Sequence, residues 1–219
     1  MPLKQIILLL LLYTHSCKGW LFDFTFARAP FVLMISAAGD ARDTGRSIDD
    51  SFERTIALSF AQEVRNKLIE YPHLKIILNR DAYDILTPFH NANLANTMQV
   101  DLCISIHCYQ HLQEIPSITL YQFSYNDSFI LKAEDLSFYT FDTIYLLNEK
   151  KTFKWATMLA NTLKEYPLLT LKGVYKLPFK PLIGIKAPAI AIEIGGKYTN
   201  DWQQCVTPLV ESLLKVIHD

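Results

Sequence analysis

The sequence predicts one three-layer α/β domain, with a mostly parallel central sheet flanked by helices on both faces. Two kinds of segment lead there. Short continuous apolar runs have the length of buried strands, and longer stretches repeat apolar residues at helical spacing. The two kinds alternate along the chain with room for crossover helices between successive strands, which is how parallel sheets are built. A length of 219 residues suits one compact domain. Half the residues are hydrophobic and 20% are charged, a balance that excludes a disordered chain.

Phe31-Val32-Leu33-Met34-Ile35 reads as the first buried strand, ending in the small and polar loop Ser36 to Gly45. A long helix follows, with Phe52, Ile56, Phe60, Val64 and Leu68 every four residues and Ala57 and Ala61 beside them. Asp50 or a near neighbour is expected to cap its start, and Tyr71-Pro72 ends it. Lys75 to Leu78 forms a second strand, Asn79 to Asp84 a polar turn, and residues 88–99 a short helix. Leu102 to Ile106 is a third buried strand, running straight into His107. Ser117 to Phe123 alternates as a further strand. Phe153 to Tyr166 reads as a helix, Ala189 to Ile194 as a core strand, and Trp202 to His218 as the closing helix. Residues 124–152 mix Phe129, Phe138, Tyr139, Phe141 and Tyr145 with acids and lysines, and the pattern does not decide their structure.

Residues 1–19 form a different kind of segment. Lys4 precedes the run Ile6 to Leu12, and small polar residues Thr14 to Cys17 follow, the layout of a secretory signal peptide. The run is too short to span a bilayer comfortably. Its removal takes away Lys4 and Lys18, leaving 19 basic against 22 acidic residues and a net charge of −3. No basic surplus remains, so nucleic acid is not the expected partner. Cys17 stands where a lipidated cysteine would, although Tyr13 and Thr14 replace the usual upstream leucine. Cys103, Cys108 and Cys205 show no metal-finger spacing, and a strand would point Cys103 and Cys108 to opposite faces, so buried free thiols are expected.

Ligands of such sheets bind at the carboxyl ends of parallel strands. Asp40 follows the first strand, Glu53 opens the first helix, His107 ends the third strand and Glu193 lies near the end of the last. Two carboxylates and an imidazole from separate points suit a zinc ion with an open position for water. A further carboxylate can take a proton from that water and return it to a leaving group. Simpler readings exist. Glu53 can close a capping box with Asp50, and His107 can be a structural histidine. A lone buried Glu193, however, is costly without a partner. Of the other histidines only His111 lies close enough to His107 to serve as a replacement ligand, and His73, His90 and His218 read as surface residues. Arg80 with Asp84 reads as an ion pair in the turn.

The ordered text Gly39-Asp40-Ala41-Arg42-Asp43-Thr44-Gly45, Glu53, Asn79-Arg80 with Asp84, Ala95-Asn96 with Asp101, Ser105-Ile106-His107 and Pro188 to Gly195 resembles the zinc-dependent N-acetylmuramoyl-L-alanine amidases of bacterial cell walls. The resemblance covers about 31 to 218 and implies an amidase-like domain at 28–219. It implies Zn²⁺ held by Glu53, His107 and Asp40, with Glu193 as the catalytic carboxylate. Asp40 stands where the family has its first histidine ligand, and Ala41 and Arg42 replace two glycines, so the first metal-ligand motif is degenerate. Arg42 can pair with Asp40 and draw it from a metal. Two functions follow from the resemblance. One is an exported peptidoglycan hydrolase, monomeric, in the periplasm or cell envelope, which cuts between N-acetylmuramic acid and L-alanine. The other is an impaired pseudoenzyme that binds wall peptides or a protein. The resemblance also makes 124–152 a candidate lid, with Glu134 or Glu149 offering a carboxylate, or the site of a protein activator.

Overall fold

The apolar runs become neighbours in a six-stranded sheet. A computed structural model describes residues 29–87, 89–125 and 138–219. In chain order the elements are β1 (Phe31–Ala37), β2 (Ser47–Ile48), β3 (Ser51–Phe52), α1 (Glu53–Leu68), β4 (Leu74–Leu78), α2 (His90–Thr97) and β5 (Leu102–Gln110). Then come β6 (Ser117–Phe123), α3 (Glu149–Leu163), β7 (Thr170–Leu177), β8 (Ala189–Gly196) and α4 (Gln203–Ile217). The sheet order is β4-β1-β5-β8-β6-β7, and β2 and β3 form a separate small ribbon. β4, β1, β5 and β8 run parallel, β6 is antiparallel to β8, and β7 is parallel to β6. The fold is therefore mixed but mostly parallel.

Alternation along the strands sorts side chains into two cores. Leu33, Ile35, Ile104, Ile106, Ile118, Leu120, Ile190 and Ile192 face α1, α3 and α4, whose Phe60, Val64, Leu159, Leu163, Leu209 and Leu213 are almost fully buried. Met34, Cys103, Phe123 and Ala191 face the other way, under α2 and the short helical turn around Leu182. Cys103 and Cys108 fall in different cores, and both, with Cys205, are free and buried.

Some expected boundaries move. The start of α1 is not capped by Asp50. Phe52 holds the cap position, and the first helical N–H groups, of Glu53 and Arg54, donate to the carbonyls of Arg46 and Thr44. Asp50 instead accepts from the Thr199 hydroxyl. Arg80 makes no ion pair with Asp84. Its guanidinium is buried and donates to the carbonyls of Ala37, Ala38, Asp81 and Arg54, which fixes the chain leaving β1. The expected signal peptide, Cys17 and Glu134 lie outside the described residues. Among those described, no helix is long and apolar enough to cross a membrane.

Candidate active site

The site forms where β5 outruns its neighbour. β1 pairs with β5 only as far as Ala37 opposite Ile106, while β5 continues to Gln110. The N–H of Cys108 thus points past the end of β1 and needs another acceptor. Glu53 supplies it. Its Oε1 accepts the Cys108 N–H at 3.2 Å and lies 3.2 Å from Nδ1 of His107, while its Oε2 accepts the Arg46 N–H. Burial alone would raise the Glu53 carboxyl, but the bonds from His107, Arg46 and Cys108 outweigh it and hold the group below its ordinary value. Because a carboxylate only accepts, Nδ1 of His107 is the donor to Glu53, and Nε2 lies 3.0 Å from the Ser105 hydroxyl.

Glu193 sits on the next strand, in register with His107 on β5 and with Thr119 on β6. Its side chain is 14% exposed and both oxygens are engaged. Oε1 is 2.6 Å from Nη1 of Arg46, and Oε2 accepts the Tyr121 hydroxyl at 2.8 Å. Burial and the contact with Glu193 push the Tyr121 phenol up to about 12, so it stays a donor at neutral pH. The Arg46 guanidinium also lies 5.9 Å from the centre of the Tyr109 ring. Phe179 forms the wall, stacked on Tyr121 at 5.4 Å and edge-on to His107 at 4.9 Å. The residues that follow Phe179 in the chain, Lys180, Pro181 and Ile183, line a groove of about 450 Å³ together with Leu86, Phe89 and His90.

Asp40 does not join this group. Its Oδ1 accepts the N–H groups of Arg42 and Asp43, each at 2.7 Å, and its Oδ2 accepts that of Leu86 at 2.8 Å. Those backbone bonds, Asp43 and Leu86 foremost, overcome burial and hold its carboxyl below the ordinary value. The expected pairing with Arg42 is therefore made by the Arg42 backbone and not by its guanidinium. His111 is tied to Ser117 and Gln113, and Glu149 pairs with Lys176, so neither serves as a substitute ligand.

These placements test the zinc expectation. Three donors must turn free lone pairs toward one ion. Here three of the four lone-pair positions of Asp40 are spent on backbone N–H groups, two in its own loop and one at Leu86, Glu53 and His107 bond each other, and a guanidinium lies against Glu193. Among the described residues no group of three or more His, Cys, Asp or Glu is placed to hold a metal. The residues as arranged do not fit a three-donor zinc site. Arg46 and Tyr121, which hold Glu193, carry no signal in the sequence: Arg46 belongs to no motif, and Tyr121 is one residue of an alternating strand.

Comparison with known proteins places this geometry in context. A family model for N-acetylmuramoyl-L-alanine amidase matches residues 33–201. Among solved structures, the fold is similar to an N-acetylmuramoyl-L-alanine amidase from Clostridium difficile 630, with a TM-score of 0.67 at 16% identity over 87% of this chain and 98% of the other. It is also similar to an amidase of Nostoc punctiforme, with a TM-score of 0.64 at 16% identity over 86% and 98%. The catalytic domain of CwlV from Bacillus (Paenibacillus) polymyxa var. colistinus gives 0.62 at 17% identity over 85% and 96%. A search of curated proteins gives no match.

Proposed function

Because the chain belongs to the N-acetylmuramoyl-L-alanine amidase family, we propose that it is an exported peptidoglycan hydrolase in which Glu193 carries the proton between water and the leaving L-alanine nitrogen. The observation that supports this is the setting of Glu193. It is a mostly buried carboxylate beside the Glu53–His107 pair, with each oxygen held by one partner and one lone pair per oxygen still open. A carboxylate so oriented can accept a proton from water attacking the lactyl amide carbonyl and return it as the C–N bond breaks. Glu53 and His107 act as one positioning unit, since their bond and the Cys108 N–H fix the floor of the site. The groove beside Phe179 is the place for the peptide side of the substrate. The family is generally zinc-dependent, but the donors of this chain do not converge on one ion among the described residues.

The basic start and apolar run of residues 1–19 support export, to the periplasm or cell envelope, and 28–219 is the catalytic domain. Within 124–152 the described part packs near the groove, with Phe141 4.5 Å from Phe89, which supports a lid or partner site there. The alternative, a non-catalytic wall-peptide binder, is the reading that an absence of muropeptide release would leave.

Purified muropeptides incubated with the mature protein decide between them. Release of free L-alanine amino termini is expected, falling about 100-fold or more in Glu193→Gln, in line with the loss of a proton-transfer group. Release that is unaffected by Glu193→Gln removes Glu193 from the reaction. Retention of muropeptides without any release establishes the binder.

A further inference from the structure

The positive charge that a metal would bring to this site is already present in the chain. We propose that Arg46 stands in for the metal: its guanidinium neutralises Glu193 and polarises the scissile carbonyl, so that the site works without a divalent cation. The catalytic half of this statement rests on the hydrolase reading above, and the metal-independent half does not.

The geometry supports it at three points. First, the backbone of Arg46 is clamped. Its N–H donates to Oε2 of Glu53 and its carbonyl accepts the Glu53 N–H at 2.8 Å, so the side chain departs from a fixed base at the first turn of α1. Second, that side chain reaches across 147 residues of sequence to Glu193 at 2.6 Å. Burial alone would lower the Arg46 value, but the bond and charge of Glu193, then the charge of Glu53, outweigh it and raise the group above its ordinary value. A guanidinium does not deprotonate at working pH, so this is a permanent charge. Third, half of the Arg46 side chain is exposed, so donors other than the one on Glu193 remain open to solvent and to an incoming substrate. A planar fork with open donors next to a proton-carrying carboxylate can hold the oxygen of an amide carbonyl as charge develops on it.

The step balances with water alone. The water oxygen bonds to the carbonyl carbon while one of its protons passes to Glu193, and the carbonyl π pair moves onto the oxygen facing Arg46. That pair then re-forms the carbonyl, the C–N bond breaks, and Glu193 returns the proton to the nitrogen. The products are a lactyl carboxyl group and a free L-alanine amine. No electrons are gained or lost.

The experiment has two arms. In the first, the full mature protein is stripped with a chelator and titrated with zinc chloride by calorimetry, with thermal unfolding followed in parallel. Arg46 as the resident cation predicts no stoichiometric binding and a midpoint unchanged by zinc. One-to-one binding that His107→Ala abolishes overturns the proposal, while the hydrolase reading survives. In the second, muropeptide release is measured with chelator for the wild type, Arg46→Met and Arg46→Lys, each checked for fold by circular dichroism. The expectation is unimpaired wild-type turnover in chelator. A kcat loss of about 100-fold is expected in the Met variant, by analogy with deleting one oxyanion donor, and partial recovery in the Lys variant. An Arg46→Met kcat within threefold of wild type overturns the catalytic role. If the Met variant does not fold, the Lys variant and the zinc titration still decide. If no protein releases product, the hydrolase reading fails and the zinc arm alone judges whether Arg46 holds the metal's place.

Discussion

Replacing Asp40 by alanine tests the claim that this residue is a backbone anchor. Its carboxylate satisfies three N–H groups, of Arg42, Asp43 and Leu86, at 2.7 to 2.8 Å, and the residue is 8% exposed. Hydrogen bonds to a charged acceptor contribute about 1.5 to 3 kcal/mol each when buried, and less where water can replace the acceptor. The Arg42 and Asp43 groups lie in a surface loop, so a combined loss of about 2 to 4 kcal/mol is expected. For a domain of this size that is about 5 to 15 °C in the unfolding midpoint. The pH dependence has a definite sign. The Asp40 carboxyl is held below its ordinary value in the folded chain, so its contribution is complete above that ordinary value and disappears as pH falls through the folded one. Thermal unfolding by circular dichroism at pH 7 and at progressively lower pH reads this directly. The gap between wild type and Asp40→Ala should be full at pH 7 and narrow in acid. Equal stability at pH 7, or a gap independent of pH, refutes the anchoring argument.

Two further outcomes follow from the same geometry. Gly45 has φ +67°, and a Cβ there would lie 2.8 Å from both Cβ and Oε2 of Glu53, so Gly45→Ala should cost about 1 to 3 kcal/mol and displace Glu53 from His107. An unchanged denaturation midpoint would show that the loop can yield. Tyr121→Phe removes one of the two partners of Glu193 while keeping the ring against Phe179. Muropeptide release should fall several-fold at unchanged stability to within about 1 kcal/mol; undiminished release would mean that Arg46 orients Glu193 unaided.

The parts of the fold legible in the sequence are those set by burial. Leu33 to Ile35, Leu102 to Ile106 and Ala189 to Ile194 lie between layers, so each reads as a continuous apolar run. β7 escaped notice because it is an edge strand. Lys172 and Lys176 interrupt it, Gly173 takes φ +148°, and the pairing with β6 shifts register between Ile118 and Thr119, all features that blunt an edge. At the site, position along a strand was enough to bring His107 and Glu193 side by side, because register follows from topology. The direction of the Asp40 carboxylate was not readable. It depends on which backbone N–H groups the following loop turns inward, and that is a property of the folded loop.

The two departures at the site are mechanically one. Asp40 and Arg46 lie in the single short loop between β1 and β2, and both are fixed by carboxylate-to-backbone bonds. Asp40 gathers the N–H groups of Arg42 and Asp43 and ties them to Leu86. Glu53 holds the other end through the N–H and carbonyl of Arg46, and Thr44 accepts the N–H of Arg54. A loop folded by its own aspartate no longer presents that aspartate to the cleft, and what its far end does present is a guanidinium. Glu193, mostly buried in the middle of the sheet, must have a positive or hydrogen-donating partner, since a lone carboxylate there is expensive. Restoring a histidine at position 40 without removing Arg46 would therefore leave a cation already seated on Glu193, and electrostatics would oppose a divalent ion beside it. Zinc titration of Asp40→His should accordingly show little gain over wild type, and a measurable affinity should emerge only when Arg46→Met is combined with it. Tight binding by the single Asp40→His variant would mean that the loop, and not the guanidinium, is what excludes the metal.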